Sequence, residues 1–348
     1  MSTDSPVALV HERPAPQPDD MDPDLRAFAA ANGGYLHRAD LIAAGQSDTV
    51  IKTAVASGVL RRIRVGTFVF AEDDASLDPV QRHLVLARSV IDKFETGSVA
   101  LSHHSAAAAL GIALYDVDLT VVHLTRLDRG AGRTESGVHH HRAVQGESVV
   151  WADDGRLCVS PVLAAWQIAC SGSRRTGLVA MDSVLNQRLA DPAELFDVGG
   201  RFRSWAGARA ARLMVRLADP GADSAAETLY RFACVEHGLP RPVTQFVVED
   251  HDGLLIARTD LGFPEYCHVA EMDGLAKYHR HVRPGETPAD VIVREKIRED
   301  RIRAQGYGVT RALYRDVQPA TAPLCVARLR RDLEISAGRF RNHRRHIV

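Results

Sequence analysis

No apolar run in this 348-residue chain approaches the ~18 residues that a membrane-crossing helix needs, which excludes a helical membrane protein and a membrane partner. The five cysteines, Cys158, Cys170, Cys234, Cys267 and Cys325, are scattered, odd in number and never spaced as CxxC. That pattern excludes a disulfide framework and a cysteine zinc site, and it suits small buried residues of a reducing compartment. Neither GxxxxGKS/T nor GxGxxG occurs, so nucleotide hydrolysis and dinucleotide binding have no support. Charge of one sign is lacking too: 43 Lys and Arg stand against 44 Asp and Glu. A uniformly basic nucleic-acid binder is thereby excluded, and any attraction to phosphate must come from local patches.

Such patches are present at Arg61, Arg62 and Arg64, in the segment after Ala289, and from Arg328 to Arg345. The length allows two or three domains, and the alternation of helical and strand patterns predicts an α+β multidomain protein. Residues 1–22 carry Asp4, Glu12, Asp19, Asp20 and Asp22 among several prolines, without the basic-then-apolar order of a signal peptide. They are expected to be a disordered acidic leader of a cytoplasmic protein.

Residues 23–72 predict three short helices and a hairpin. Pro23 opens the first helix and Gly33-Gly34 stop it; the second runs from Leu36 to Ala44 before Gly45; Ser47 caps the third, which Gly58 ends. Val59 to Val65 and Thr67 to Phe70 then pair across Gly66. This is the element order of a winged helix-turn-helix, whose third helix enters the major groove while the wing touches phosphate. With Val50, Ala54 and Val55 as the buried stripe, Asp48, Thr49, Lys52 and Thr53 face outward. Thr49, Lys52, Thr53, Arg61, Arg62 and Arg64 are the candidate DNA-binding residues, the wing arginines supplying most of the electrostatic affinity.

Residues 73–218 predict an α+β middle domain. Its histidines invite a metal reading: His103 and His104 at a helix start, and His139, His140 and His141 on a strand. Alternation puts His139 and His141 on one face, but no acid falls at ligand spacing nearby. Exposed or hydrogen-bonded structural histidines are therefore the expectation.

Residues 219–320 hold the densest chemistry. A helix from Ser224 to Glu236 carries Glu227, a strand follows from Val243 to Glu249, and an apolar run ends in Asp260. After a turn at Phe263-Pro264-Glu265, a second run delivers Glu271 and, two residues on, Asp273. Side chains at i and i+2 of a strand share a face, and hairpin pairing brings Asp260 beside them. Gathered carboxylates repel unless a hard cation such as Mg²⁺ sits among them. A helix from about Ala289 to Gln305, a strand from Tyr307 to Leu313 and a basic tail over 321–348 complete the chain; the tail is expected as a solvated terminus or a phosphate clamp.

Two resemblances rest on these motifs. The order helix, three strands, helix, strand over Ser224 to Val317, with Glu227, Asp260, Glu271 and Asp273-Gly274, resembles the PD-(D/E)XK nuclease superfamily in its branch related to very-short-patch repair endonucleases. That resemblance implies a restriction-endonuclease-like fold in which Asp260 and Glu271 hold Mg²⁺, Asp273 or Glu227 completes the shell, and Lys277 orients the attacking water. The superfamily usually carries Lys where this chain has Asp273. Gly33 to Phe70, with its continuation LSHHSAAAALGI from Leu101 to Ile112, resembles the N-terminal domain of AbiEi-type antitoxins of type IV toxin-antitoxin systems. This second resemblance implies a winged helix that represses its own operon and a nucleotidyltransferase-like toxin as partner; if an operator exists, a homodimer is expected, since two-fold proteins match palindromic sites. The sequence thus predicts a DNA-binding protein with a winged-helix head and a Mg²⁺-dependent endonuclease-like domain. The alternative is a non-enzymatic AbiEi-like antitoxin and transcriptional repressor with an inactive nuclease fold.

Overall fold

The computed structural model describes residues 23–128, 130–144, 147–273 and 287–340. It is a mixed α and β protein with several sheets, and its contacts divide it into two compact units. The first holds the described residues up to 109 together with 118–145 and 149–158; the second holds the others.

The first unit opens with α1 (Pro23–Ala31), which buries Leu25 and Ala29 one turn apart. Then come β1 (Leu36–His37), α2 (Arg38–Ala43) and α3 (Asp48–Ala56). The expected second helix therefore starts two residues late, because Leu36 and His37 pair with Phe68 and Thr67 as a short strand. Ser47 caps α3 by accepting from the Val50 amide at 3.3 Å. The buried stripe of α3 is Ile51 and Ala54 with Val55 partly covered, whereas Val50 is half-exposed. That corrects the expected stripe of Val50, Ala54 and Val55, since positions 51, 54 and 55 share a face when the cap fixes the first turn at Asp48. β2 (Leu60–Arg64) and β3 (Thr67–Phe70) close an antiparallel sheet of order β1-β3-β2. Gly66, at φ +67°, makes the turn.

After α4 (Ala71–Ser76), α5 (Pro79–Ile91) begins with a capping box between Asp78 and Gln81. β4 (Val99–Leu101), α6 (His103–Ala109), β5 (Val122–Arg126), β6 (Arg133–Glu135), β7 (Val138–Arg142), β8 (Val149–Trp151) and β9 (Leu157–Val159) follow. Their sheet has the order β6-β7-β5-β4-β9-β8, with β5 and β7 parallel and in register from Val122↔Val138 to Arg126↔Arg142.

In the second unit α7 (Pro161–Ser171), α8 (Arg174–Asn186), α9 (Pro192–Arg201) and α10 (Ala208–Leu217) precede α11 (Ala225–Glu236). Asp182 of α8 and Arg231 of α11 form an ion pair at 2.6 Å, each side chain only 1% exposed. Further bonds surround the pair: Asp182 accepts from Thr228 and the Asp219 amide, and Arg231 donates to the Leu217 carbonyl, while its buried Nε has no hydrogen-bond partner. β10 (Val243–Glu249), β11 (Leu255–Phe263), β12 (His268–Asp273), α12 (Pro288–Ala304) and β13 (Gly308–Leu313) form the predicted succession. The sheet runs β10-β11-β12-β13; the first three strands are antiparallel and β13 lies parallel to β12.

The segment after Pro323, read from sequence as a basic tail, is helical to Phe340 as α13 (Ala322–Phe340). Its Cys325, Val326, Leu329 and Leu333 recur at helical spacing and join the core that contains Leu229, Leu261 and Ala270. Arg328 and Arg330 donate to the Arg311 and His237 carbonyls. Arg341, Arg344 and Arg345 lie outside the described residues.

Among the described residues, no helix is long and apolar enough to cross a membrane.

Candidate nucleic-acid interface and carboxylate cluster

Between α3 and the β2–β3 hairpin lies an open groove of about 490 Å³ lined by Arg38, Asp48, Ile51, Lys52, Val55, Arg62, Gly66 and Phe68. Asp48, the one carboxylate there, is held by Arg38 at 2.5 Å, and that guanidinium lowers its pKa through their hydrogen bond. The acid that opens α3 is therefore neutralised by a cation one helix earlier. Lys52 and Arg62 remain exposed on the two walls. Thr49 is exposed, and Thr53 turns its hydroxyl back onto the Thr49 carbonyl at 2.9 Å. The wing arginines differ from one another. Arg61 pairs with Asp74 at 2.5 Å, and Arg64 is partly buried, with its pKa lowered by that burial. Arg38, which no sequence motif singles out, lines the groove, and these two arginines do not.

In the second unit the expected carboxylates come from three elements. Asp260 of β11 lies one step beyond the Leu261↔Ala270 pair, beside Glu271 of β12. It accepts from the Met272 amide at 2.6 Å. Glu227, in the first turn of α11, accepts from the Asp223 amide and the Ser224 hydroxyl at 2.9 Å each and from Gln245 at 3.3 Å. Burial raises the Glu227 pKa and the charge of Asp260 raises it further. Glu271 meets a different environment. Arg298 of α12 grips it with both arms, Nη2 to Oε1 at 2.5 Å and Nη1 to Oε2 at 3.2 Å, while Arg311 stands 3.6 Å from Oε2. Arg311 also reaches Asp273 at 3.9 Å. Lys277, like His279 and His281, lies outside the described residues.

Mg²⁺ asks for carboxylate oxygens facing a common point in near-octahedral array. The described residues whose ligand atoms gather within 4.8 Å of one another are His103, His123 and His141, and Asp250, His251 and Asp252. Glu227, Asp260 and Glu271 are not among them, and Glu271 has already given both oxygens to arginine. As arranged, the carboxylates do not fit a bound Mg²⁺. Arg298 and Arg311 had appeared in the sequence only as members of basic or apolar stretches; nothing local marks a residue 27 positions away as the partner of Glu271.

The histidines, by contrast, converge. Because β5 and β7 pair in register, His123 stands beside His139, and Thr125 beside His141. The start of α6 adds His103 and His104. The His103 ring lies 4.1 Å from that of His141 and 4.8 Å from that of His123, and His123 Nδ1 is 2.8 Å from His141 Nε2. Burial holds His123 down to about 2 and His141 down to about 4, and pushes His103 well below the usual imidazole range; neighbouring imidazoles add to each shift. The expectation of exposed or hydrogen-bonded structural histidines did not include His123, whose signal was a histidine at the same place in VHLTR as in the parallel VHHHR.

No family model matches the chain. It is 27% identical over 282 residues, 80% of its own length and 94% of theirs, to the uncharacterized proteins MT2308 and Rv2248 of Mycobacterium tuberculosis, strains CDC 1551 / Oshkosh and H37Rv respectively. The likeness spans nearly the whole of those proteins and four-fifths of this chain.

Proposed function

We propose that this is a cytoplasmic DNA-binding protein of the antitoxin and repressor kind, with a winged helix as its reader and a nuclease-like domain that does not cut. The groove between α3 and the hairpin carries the reading: Lys52, Arg62 and Arg38 line a concave face whose single acid is already neutralised. Cations on both walls of such a groove suit the two backbones that flank a major groove, with Thr49 toward base edges. The arginine clasp on Glu271 supports the non-catalytic half, since it uses the oxygens a catalytic cation would need. A homodimer on a palindromic operator and a nucleotidyltransferase-like toxin as partner belong to this reading.

The test is a random-duplex selection with the full chain, followed by anisotropy titration of the selected duplex. Sequence-selective binding that weakens in Lys52→Ala and Arg62→Ala is the expected result. Equal affinity of wild type and both variants, or no binding, overturns the reading.

A second reading, a Mg²⁺-dependent PD-(D/E)XK-like endonuclease, is favoured by one observation: Asp260 on β11 stands beside Glu271 on β12 by strand register, which brings two acids of the expected set together. Plasmid and single-stranded DNA incubated with Mg²⁺, Mn²⁺ or chelator decide it. Metal-dependent cutting abolished by both Asp260→Ala and Glu271→Ala establishes this reading over the first; no cutting with DNA binding intact retains the first.

A further inference from the structure

We propose that His103, His123 and His141 form a binding site for a late first-row divalent metal ion, zinc being the natural occupant. One ligand atom from each of the three lies within 4.8 Å of the others. A tetrahedral ion with Zn–N bonds of about 2.1 Å holds its ligand nitrogens about 3.4 Å apart, so the three rings need only small rotations to close on it. The 2.8 Å contact between His123 Nδ1 and His141 Nε2 is a ring N–H donating to a ring lone pair. Metal entry separates these two nitrogens, and the ring proton moves to the opposite nitrogen of the donor, so the imidazoles stay neutral and none is lost. Neutral imidazole is the form that binds this class of ion, and no carboxylate is needed to select it.

The surroundings are built as a site is built. His83 is fully engaged: Nδ1 donates to the Leu119 carbonyl at 2.8 Å, and Nε2 accepts from the Ser105 hydroxyl at 2.9 Å. Ser105 in turn accepts from the His123 amide at 2.9 Å, which fixes the backbone from which His123 projects. His104 donates from Nε2 to the Val121 carbonyl at 2.8 Å. These two histidines therefore frame the trio without competing for the ion. His103 has a left-handed backbone, φ +51°, uncommon outside glycine, and this conformation coincides with the placement of its ring against His141. His139, half-buried and 4.9 Å from His123 by ring centroid, stands on the same face of β7 and marks the side from which water or a fourth ligand enters. Three imidazoles with one position left over would fasten the start of α6 to β5 and β7.

The experiment uses the full chain stripped with chelator and titrated with Co²⁺ alone, then with Zn²⁺ as competitor. One equivalent of Co²⁺ with the intense visible bands of tetrahedral nitrogen coordination, displaced by Zn²⁺, is expected. His123→Asn and His141→Asn weaken this binding on the order of 100-fold, while His251→Ala, in the exposed Asp250-His251-Asp252 turn, leaves it unchanged. Absence of the bands in wild type, or their survival in both asparagine variants, overturns the proposal, and so does their loss in His251→Ala alone. Should an asparagine variant not fold by circular dichroism, X-ray absorption on Zn²⁺-loaded wild type replaces it: three imidazole shells support the site and fewer overturn it.

Discussion

Arg298 binds Glu271 with both arms of its guanidinium and extends Nη2 to the Arg258 carbonyl at 2.9 Å, so one side chain of α12 ties together β11 and β12. The Arg298 side chain is 27% exposed and that of Glu271 10%, which places the pair between surface and interior. Removing one partner leaves the other charge poorly solvated, and that cost exceeds the worth of the pair itself.

Arg298→Met is accordingly expected to destabilise the second unit by about 2–3 kcal/mol, because Glu271 is left among Asp260, Asp273 and Glu295 with Arg311 as its remaining cation. The double variant Arg298→Met with Glu271→Gln should recover at least half of that. Urea unfolding of the four proteins of the cycle measures it, and additive losses would show that the clasp is not a unit.

The wing arginines should separate in their DNA behaviour. Loss of a phosphate contact flattens the plot of log affinity against log salt by about 0.9 per contact. Lys52→Ala and Arg62→Ala are each expected to do so, whereas Arg61→Ala, whose charge is committed to Asp74, should change the slope by less than half as much and lower Tm instead. Anisotropy titrations at several salt concentrations, paired with thermal melts, compare the three.

Acid should destabilise the protein through its buried histidines before the carboxylates titrate. His268 is enclosed by hydrogen bonds to Ser336 and Thr310 at 2.8 and 2.9 Å, and burial lowers its pKa to about 4. A folded pKa below the unfolded value means that the unfolded chain binds the extra proton. The contribution is therefore whole above about pH 6.5 and declines as pH falls toward 4. Between pH 6.5 and 5 this single residue is expected to remove about 2 kcal/mol of stability. Urea midpoints of wild type and His268→Gln at pH 7 and pH 5 test the sign: the variant starts less stable and loses less.

Two glycines of the second unit should respond oppositely to alanine. At Gly207, φ is +78° and an added Cβ would sit 1.9 Å from the Cys170 carbonyl oxygen. Gly207→Ala is expected to cost about 3 kcal/mol or more. Around Gly200, inside α9, an added Cβ meets nothing within 4 Å, and Gly200→Ala should stabilise by up to about 1 kcal/mol through helix propensity. Thermal melts of both variants decide whether backbone crowding governs the first.

Much of the architecture was legible because its signals are local. Ser47 and Asp78 cap their helices through amides three residues on, Pro161 opens α7, and β10 falls where its β-branched residues predict. The helix, three strands, helix and strand that carry Glu227, Asp260 and Glu271 were likewise readable. The amphipathic start of the segment after Pro323 was legible, but that its apolar stripe is buried is decided by packing against Leu229 and Leu261.

The sequence by itself determined which segments become helix or strand, where they stop, and which strand ends carry acids or histidines, since those choices depend on residues within about one turn of each other. Tertiary structure decided what each of those side chains meets. The in-register pairing of β5 with β7 made neighbours of His123 and His139 and brought His141 within reach, and the return of α12 across the sheet put Arg298 on Glu271. Register and helix docking are set by the burial of whole faces, so no spacing along the chain encodes them.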